Sequence, residues 1–346
     1  MIMKEKSILV IGSFHNPQNK KHATTAAEQL AALLLKNNVQ VITATRQYKK
    51  LYKLVATVYA IISNCRRFRI AIVPLYGTPM SFIWQHVSVV LLKLLRKKVV
   101  LIVHGGSIPK QAGQGDNKFI AAMHRADIVV CPSAYMQQFL KDFGIRSLVI
   151  ENSLDISVYP FQHKTIFRPH ILWMRSFSDI YNPEMAVRVA VILAKKYPFF
   201  KMVMAGTDGG TLEQTKKMIS VCGLQRKILM PGYLQHRDKL KYAAEFDIYI
   251  CTNRIDNAPV TIIEYMALGL VTVSVNSGGI PFMVKDGWNG WLVNSDDAEA
   301  MAAAIFSVID NPVLSQKLCK NANVYAQQYN QQSVYAKWQS LFEQLN

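Results

Sequence analysis

Short apolar runs along this chain alternate with longer stretches in which apolar residues recur three and four positions apart. The runs at residues 7–13, 70–75, 99–103, 126–133 and 147–150 predict buried strands, with another at 39–45. The longer stretches at 22–36, 51–64, 82–95 and 134–143 predict helices between them. From residue 171 the alternation starts again. Strands are expected at 171–174, 201–205, 228–233, 246–251 and 271–275, and helices at 183–196, 237–246, 296–309 and 334–345. A strand–helix alternation of this kind predicts an α/β protein with parallel sheets. The restart predicts two domains, 1–163 and 164–329, with a hinge near 161–169. At 346 residues, each domain is long enough to bury a substantial core.

The stretch from Asp256 to Glu264 carries the densest candidate chemistry. It follows the apolar strand at 246–251, and Pro259 suits the first turn of a helix, with Asp256 or Asn257 available as its cap. Glu264 then lies one turn past Val260 on the same face. The unpaired N–H groups of Val260 and Thr261 form an anion site. Two carboxylates flanking such a site can accept sugar hydroxyls on either side of a phosphate. Gly269 ends the helix, and Gly278-Gly279 makes a tight turn after the next strand. Two loops following parallel strands would then face each other, as at a nucleotide crevice.

These residues carry a family resemblance. Asp256, seven intervening residues and Glu264 are followed by Tyr265-Met266-Ala267-Leu268-Gly269, then by Gly278-Gly279-Ile280-Pro281 and the segment from Asp286 to Val293. In order and spacing this resembles the nucleotide-sugar-dependent GT-B glycosyltransferases of the retaining family-4, group 1 type. The family usually has Glu where this chain has Asp256. The resemblance implies two Rossmann-like domains with parallel sheets facing a cleft, the donor mainly on the second. It also implies that the final helix, 330–346, rejoins the first domain. Glu264 would hold the nucleotide ribose, Asp256 the donor sugar, and Arg175 with the helix N-terminus the diphosphate. Gly206 stands in the family's Gly-x-Gly position, and Met230 and Gly232 belong to the strand and turn where the base is held. The family also has a lysine after the arginine, but 179–183 offers none. The charge there falls to Arg175 and the helix N-termini, or to another cation from the first domain.

In the first half, a strand ends at His104-Gly105-Gly106-Ser107. Glycines let a ligand approach the backbone, and the family places a histidine in this kind of position, beside the donor sugar. His104 is therefore a candidate for that contact, and Gly105, Gly106 and Ser107 for the acceptor side.

Composition narrows the remaining choices. The net charge of +18 calls for an anionic partner, and Arg66, Arg67, Arg69 and Arg96 to Lys98 lie in the first half. Flanking two apolar helices, these clusters suit a peripheral protein on the anionic inner face of a cell membrane. The helix at 82–95 is too short to span it. Aromatic interleaving of the kind a single-strand groove uses is missing, so nucleic acid is not expected. The five cysteines have no metal-ligand spacing, and their odd number fits reduced core residues in the cytoplasm. No signal peptide is visible at the start. No Gly-x-Gly-x-x-Gly follows the first strand, so no dinucleotide cofactor is expected. No Asp-x-Asp metal motif appears, and Asp296-Asp297 suits a helix start.

The sequence thus predicts a metal-independent, retaining hexosyltransferase with no cofactor. It would use a UDP- or GDP-type sugar donor and a glycan or lipid-linked hydroxyl acceptor, in the synthesis of a bacterial-type surface polysaccharide or glycolipid. The rivals are an epimerase or phosphorylase of the same fold and a catalytically silent protein binding nucleotide sugars or polyanions.

Overall fold

The computed structural model describes residues 7–14, 25–45, 50–76, 79–104 and 118–345. The chain forms two compact units, Met1–Ser153 with Gln331–Asn346, and Leu154–Asn330.

The first unit is built on six parallel strands. They are β1 (Ser7–Ile11), β2 (Val41–Ala44), β3 (Phe68–Leu75), β4 (Lys98–Val103), β5 (Ile128–Cys131) and β6 (Ser147–Val149), in the spatial order β2-β1-β3-β4-β5-β6. Between them run α1 (Ala26–Lys36), α2 (Lys50–Ser63), α3 (Pro79–Leu94), α4 (Lys118–His124) and α5 (Ala134–Asp142). Successive strand residues point to opposite faces, so each strand feeds two cores. Leu9, Ile11, Val99 and Leu101 pack with Trp84, Leu92 and Phe119 on one face. Ile8, Val10, Val100 and Ile102 pack with Leu30 and Leu34 on the other. A reciprocal cap fixes the start of α1: Glu28 N–H donates to Thr25 Oγ1 at 3.2 Å and Thr25 N–H to Glu28 Oε2 at 2.7 Å.

The second unit also has six parallel strands. These are β7 (His170–Met174), β8 (Lys201–Ala205), β9 (Ile228–Gly232), β10 (Ile248–Cys251), β11 (Val271–Val275) and β12 (Trp291–Val293). Their order is β12-β11-β10-β7-β8-β9. Its helices are α6 (Pro183–Lys196), α7 (Leu212–Val221), α8 (His236–Glu245), α9 (Val260–Leu268), α10 (Ala298–Asp310) and α11 (Pro312–Ala326). The central strands are buried on both faces, as parallel sheets require. The order reverses between β7 and β10, which creates a topological switch point.

The chain leaves the second unit after a bridge between Leu154 and Asn330, and α12 (Gln331–Leu345) belongs to the first unit. There Val334, Trp338, Leu341 and Phe342 complete the core beneath α1. The second unit begins earlier than the hinge expected at 161–169. Leu154 N–H donates to Tyr329 O at 2.7 Å, and Ile156, Tyr159 and Phe167 are anchored in the second core.

That connecting segment is also tied down by charge. Asp247, almost fully buried, meets Lys164 Nζ at 3.1 Å and Arg168 Nε at 2.8 Å. Burial alone would raise the Asp247 carboxyl, but the hydrogen bonds from Arg168 and the Lys164 charge outweigh it and hold the pKa below the ordinary value. A carboxyl depressed in the folded state stabilises fully above its unfolded pKa, and that stabilisation is lost as pH falls through the folded value. Asp247→Asn leaves the buried Lys164 ammonium unpaired and is expected to cost about 3 kcal/mol of stability. Denaturant unfolding at pH 7 and at acid pH checks this; the gap between wild type and variant should shrink as the pH drops.

Candidate active site

The loops after β7 and β10 part at the switch point, where a parallel sheet leaves a crevice. The β7 loop opens with Arg175, positioned by its N–H bond to Ala205 O at 3.1 Å. The β10 loop runs through Thr252 and Asn253 to Asp256. Across the gap the Arg175 guanidinium and the Asp256 carboxylate form an ion pair, with only 15% and 17% of their side chains exposed. Asn253 Nδ2 donates to the same carboxylate oxygen at 2.9 Å. The Tyr181 ring lies 4.8 Å from the guanidinium carbon, a cation–π contact. Burial works against the charge on Arg175, but Asp256 outweighs it and the guanidinium stays protonated. One donor of this cation remains unspent: the buried Nε–H has no partner among the described residues.

Glycines brace both loops. A Cβ on Gly206 would lie 1.8 Å from the Arg175 carbonyl oxygen, so only glycine lets the β8 loop pass there. Gly278, at φ +54°, would put a Cβ 2.3 Å from the Asp256 carbonyl oxygen, and Gly279 N–H donates to that oxygen at 2.7 Å. The Gly278-Gly279 turn therefore holds Asp256 by its backbone. Neither Asp256 nor Asn257 caps α9. Pro259 is the capping residue, and its side chain has no polar atom to offer; the Asp256 carboxylate pairs with Arg175 and accepts from the backbone N–H groups of Asn257 and Ala258.

A cavity of about 210 Å³ opens beside the pair, lined by Arg175, Gly206, Tyr233, Leu234, Lys239 and Thr261 among others. Lys239, on α8, had not been expected here. Its Nζ donates to Glu264 Oε2 at 2.8 Å and Oε1 at 3.1 Å. Tyr159 OH donates to Glu264 Oε1 at 2.9 Å, and burial with the nearby Glu264 charge pushes the Tyr159 phenol well above its ordinary pKa. Thr261 Oγ1 accepts from Tyr249 OH at 2.9 Å, and the Tyr249 ring stacks on Tyr265 at 4.6 Å. The N–H groups opening α9 have no carbonyl one turn back to pair with. The cavity thus gathers two cations, helix N–H donors and hydroxyls, with two carboxylates close behind.

Residues 165–328 match the family described as glycosyl transferases group 1, and residues 22–158 match glycosyltransferase family 4. The chain belongs to the group 1, family 4 glycosyltransferases. Over 270 residues it is 24% identical to the amylovoran biosynthesis glycosyltransferase AmsK of Erwinia amylovora, covering 73% of this chain and 66% of AmsK. The chain spans less than two thirds of the length of the curated relatives it matches first. Among solved structures it resembles Anabaena HepE in complex with UDP, with a TM-score of 0.75, 17% identity and coverage of 98% of this chain and 100% of that one. Sucrose-phosphate synthase from Thermosynechococcus elongatus gives a TM-score of 0.77 at 16% identity, with 99% of each chain covered. The fold is GT-B.

Within this glycosyltransferase fold, Arg175, Gly206 and Thr261 line one cavity, with Asp256 paired to the first. Glu264 reaches it through Lys239. Val260, Met230 and Gly232 are outside its lining, and Tyr233 and Leu234, which follow Gly232, line it instead. Lys239, from the second unit itself, is a second cation in this lining, beside the loop at 179–183 that carries no lysine. No motif marks it, because its place opposite Glu264 depends on how α8 and α9 pack.

His104 belongs to the other unit, just past β4, whereas the switch point of that sheet lies between β1 and β3. It is held by its N–H bond to Leu75 O at 3.0 Å and stacks on Tyr76 at 6.0 Å. Gly105, Gly106 and Ser107 lie outside the described residues. Burial lowers the His104 imidazole from 6.5 to about 4. A depressed folded value means the contribution to stability is present above the unfolded pKa and is lost as pH falls toward the folded one. His104 is therefore expected to remain neutral through the whole range in which an exposed histidine titrates. A ring-proton shift that moves with an ordinary midpoint near 6.5 in an NMR pH series would contradict that assignment.

Proposed function

We propose that this glycosyltransferase moves a sugar from a UDP- or GDP-type donor to a hydroxyl of a glycan or lipid-linked acceptor, with retention and without a metal ion. The observation that carries the reading is the buried Arg175 guanidinium, charged and with an unspent N–H, lining a cavity at the switch point. As the bond from the sugar to the diphosphate breaks, negative charge builds on the departing oxygen. Arg175, Lys239 and the N–H group of Thr261, all in the cavity lining, stabilise that charge without rearranging, and so lower the barrier. The acceptor oxygen attacks the same face the diphosphate leaves, and its proton passes to the departing phosphate oxygen. This displacement needs no enzyme nucleophile and preserves the sugar's configuration.

Asp256 accepts hydroxyls of the donor sugar, and its bond to Arg175 couples sugar to phosphate. Glu264 accepts a ribose hydroxyl, since two bonds to Oε1 and one to Oε2 leave one lone pair free on the latter. His104, neutral, serves the donor sugar as a hydrogen-bonding partner and not as a charge. The UDP held by HepE and the amylovoran pathway of AmsK support a nucleotide-sugar donor and a surface polysaccharide product.

Work at a membrane surface is part of the same proposal. On α2, Tyr52, Val55, Tyr59 and Ile62 are all more than half exposed, and their spacing puts them in one stripe. Arg66, Arg67 and Arg69 are exposed just beyond its end. Among the described residues no helix is long and apolar enough to cross a membrane. An apolar stripe beside a cationic cluster suits the interface of an anionic bilayer.

Three experiments test these assignments. In EDTA, Arg175→Ala should lower turnover on the order of 10²-fold, and wild-type turnover should stay within about threefold of its untreated value. By titration calorimetry, Glu264→Gln and Lys239→Met should weaken free UDP or GDP, while Asp256→Asn should spare nucleotide affinity and lower turnover. Equal loss of nucleotide affinity in the Glu264 and Asp256 variants would refute the division of roles, and binding without nucleotide release from any donor would mark a silent protein. On vesicles, a triple Arg66, Arg67, Arg69→Gln variant should bind anionic lipid at least several-fold more weakly, since each cation near the leaflet contributes up to roughly 1 kcal/mol before screening by salt. Binding indifferent to salt and lipid charge would rule out the membrane assignment.

A further inference from the structure

The second unit holds another cavity, larger than the donor cavity and sharing none of its lining. About 380 Å³ in volume, it lies between the start of α6 and the length of α7, within the size range of small-molecule sites. Its lining includes Asp179, Glu184, Thr211, Gln214, Lys217, Met218, Val221 and Arg254.

Thr211 is the informative residue. It occupies the capping position of α7, where a threonine hydroxyl ordinarily accepts from the first-turn N–H groups. Here it makes no such bond. Its Oγ1 is buried and has no partner among the described residues, and the residue is 91% buried, 9% of its surface being exposed. A buried hydroxyl without a partner costs about 1–3 kcal/mol, so this group is kept against its own stability. Around it the exposed side chains of Glu184, Gln214 and Lys217 and the Asp179 carboxylate also have no side-chain partner among the described residues.

The charges select the ligand. The lining carries two carboxylates, Asp179 and Glu184, and two cations, Lys217 and Arg254. Arg254 donates to the Asp179 carbonyl at 2.8 Å and shares the Asp296 carboxylate with Arg188, at 3.2 and 3.4 Å, so the single Asp296 charge is divided between two arginines and the three cations and three carboxylates balance. No excess positive charge remains for a phosphate, and no excess negative charge for a cation. Carboxylates, an amide and a hydroxyl sharing one lining with the apolar Met218 and Val221 suit a neutral polyol, whose hydroxyls both donate and accept and whose C–H edge is apolar.

We propose that this cavity is a saccharide-binding site separate from the donor cavity. It gives the second unit its own hold on a neutral sugar residue. The inference rests on this cavity alone and requires neither nucleotide binding nor transfer.

Saturation-transfer NMR on the whole chain, without nucleotide, tests it with glucose, galactose and N-acetylglucosamine as probes. Transfer to at least one of these is expected. Thr211→Val should weaken that sugar about three- to tenfold, the worth of one hydrogen bond, and Gln214→Ala should weaken it as well. Thr211→Val removes no capping bond, so its melting temperature should equal or exceed that of the wild type. Asp256→Asn, which alters the proposed donor-sugar contact, should leave the binding intact. The proposal is overturned if no probe binds, if Thr211→Val binds as wild type does, or if Asp256→Asn abolishes the binding. UDP or GDP titration of the same samples reports on the donor cavity independently.

Discussion

The ion pair between Arg175 and Asp256 is the constraint on which the site depends. It joins the ends of β7 and β10, the two strands where the sheet order reverses and its loops part. Two loops leaving in opposite directions need a tie, and a guanidinium facing a carboxylate supplies one that also keeps a cation in the crevice. The pair is mostly shielded from water, so its attraction is not lost to screening. Other features answer to it. Gly206 and Gly278 lack side chains because Arg175 and Asp256 pass too close for a Cβ. Tyr181 covers the guanidinium, and Trp173 Nε1–H donates at 2.9 Å to Thr252, whose hydroxyl bonds back to the Tyr181 and Asn182 carbonyls.

Around this tie, charge is arranged in two tiers. Arg175 and Lys239 line the cavity, and Asp256 and Glu264 stand behind them as their counter-ions. A buried cation without a partner would be expensive, and a pair with every oxygen committed would leave nothing for a ligand. The arrangement avoids both: each cation is neutralised on one side, while the Arg175 Nε–H and the second Glu264 oxygen keep capacity. His104 differs in kind, since burial makes it a neutral group held by β3.

The two cavities of the second unit follow the same economy of partners with different results. At the donor cavity, charged groups are paired across loops and helices. At the cavity between α6 and α7, charges balance and the buried Thr211 hydroxyl is left over. Both lie near the segment 175–183, which carries Arg175 and Tyr181 toward one and Asp179 and Asn182 toward the other.

Local pattern in the sequence determined the parallel α/β architecture, the strands and most of the helices, because strand burial and helical periodicity are properties of neighbouring residues. α4 and α7 escaped it: one is seven residues long, and the other buries only Thr215 and Ile219. Arg175, Asp256, Glu264 and the glycine turns were legible because they sit at fixed offsets from strand ends. Only the tertiary structure decided that Asp256 pairs with Arg175 and does not cap α9, and that Lys239 and Tyr159 converge on Glu264. It also decided that the second unit starts at Leu154, and that Thr211 is stranded in a cavity. Lys239 and Glu264 are 25 residues apart, and Tyr159 and Glu264 are 105 apart. Contacts over such separations arise from which helix faces the packing turns together, and no local periodicity records that.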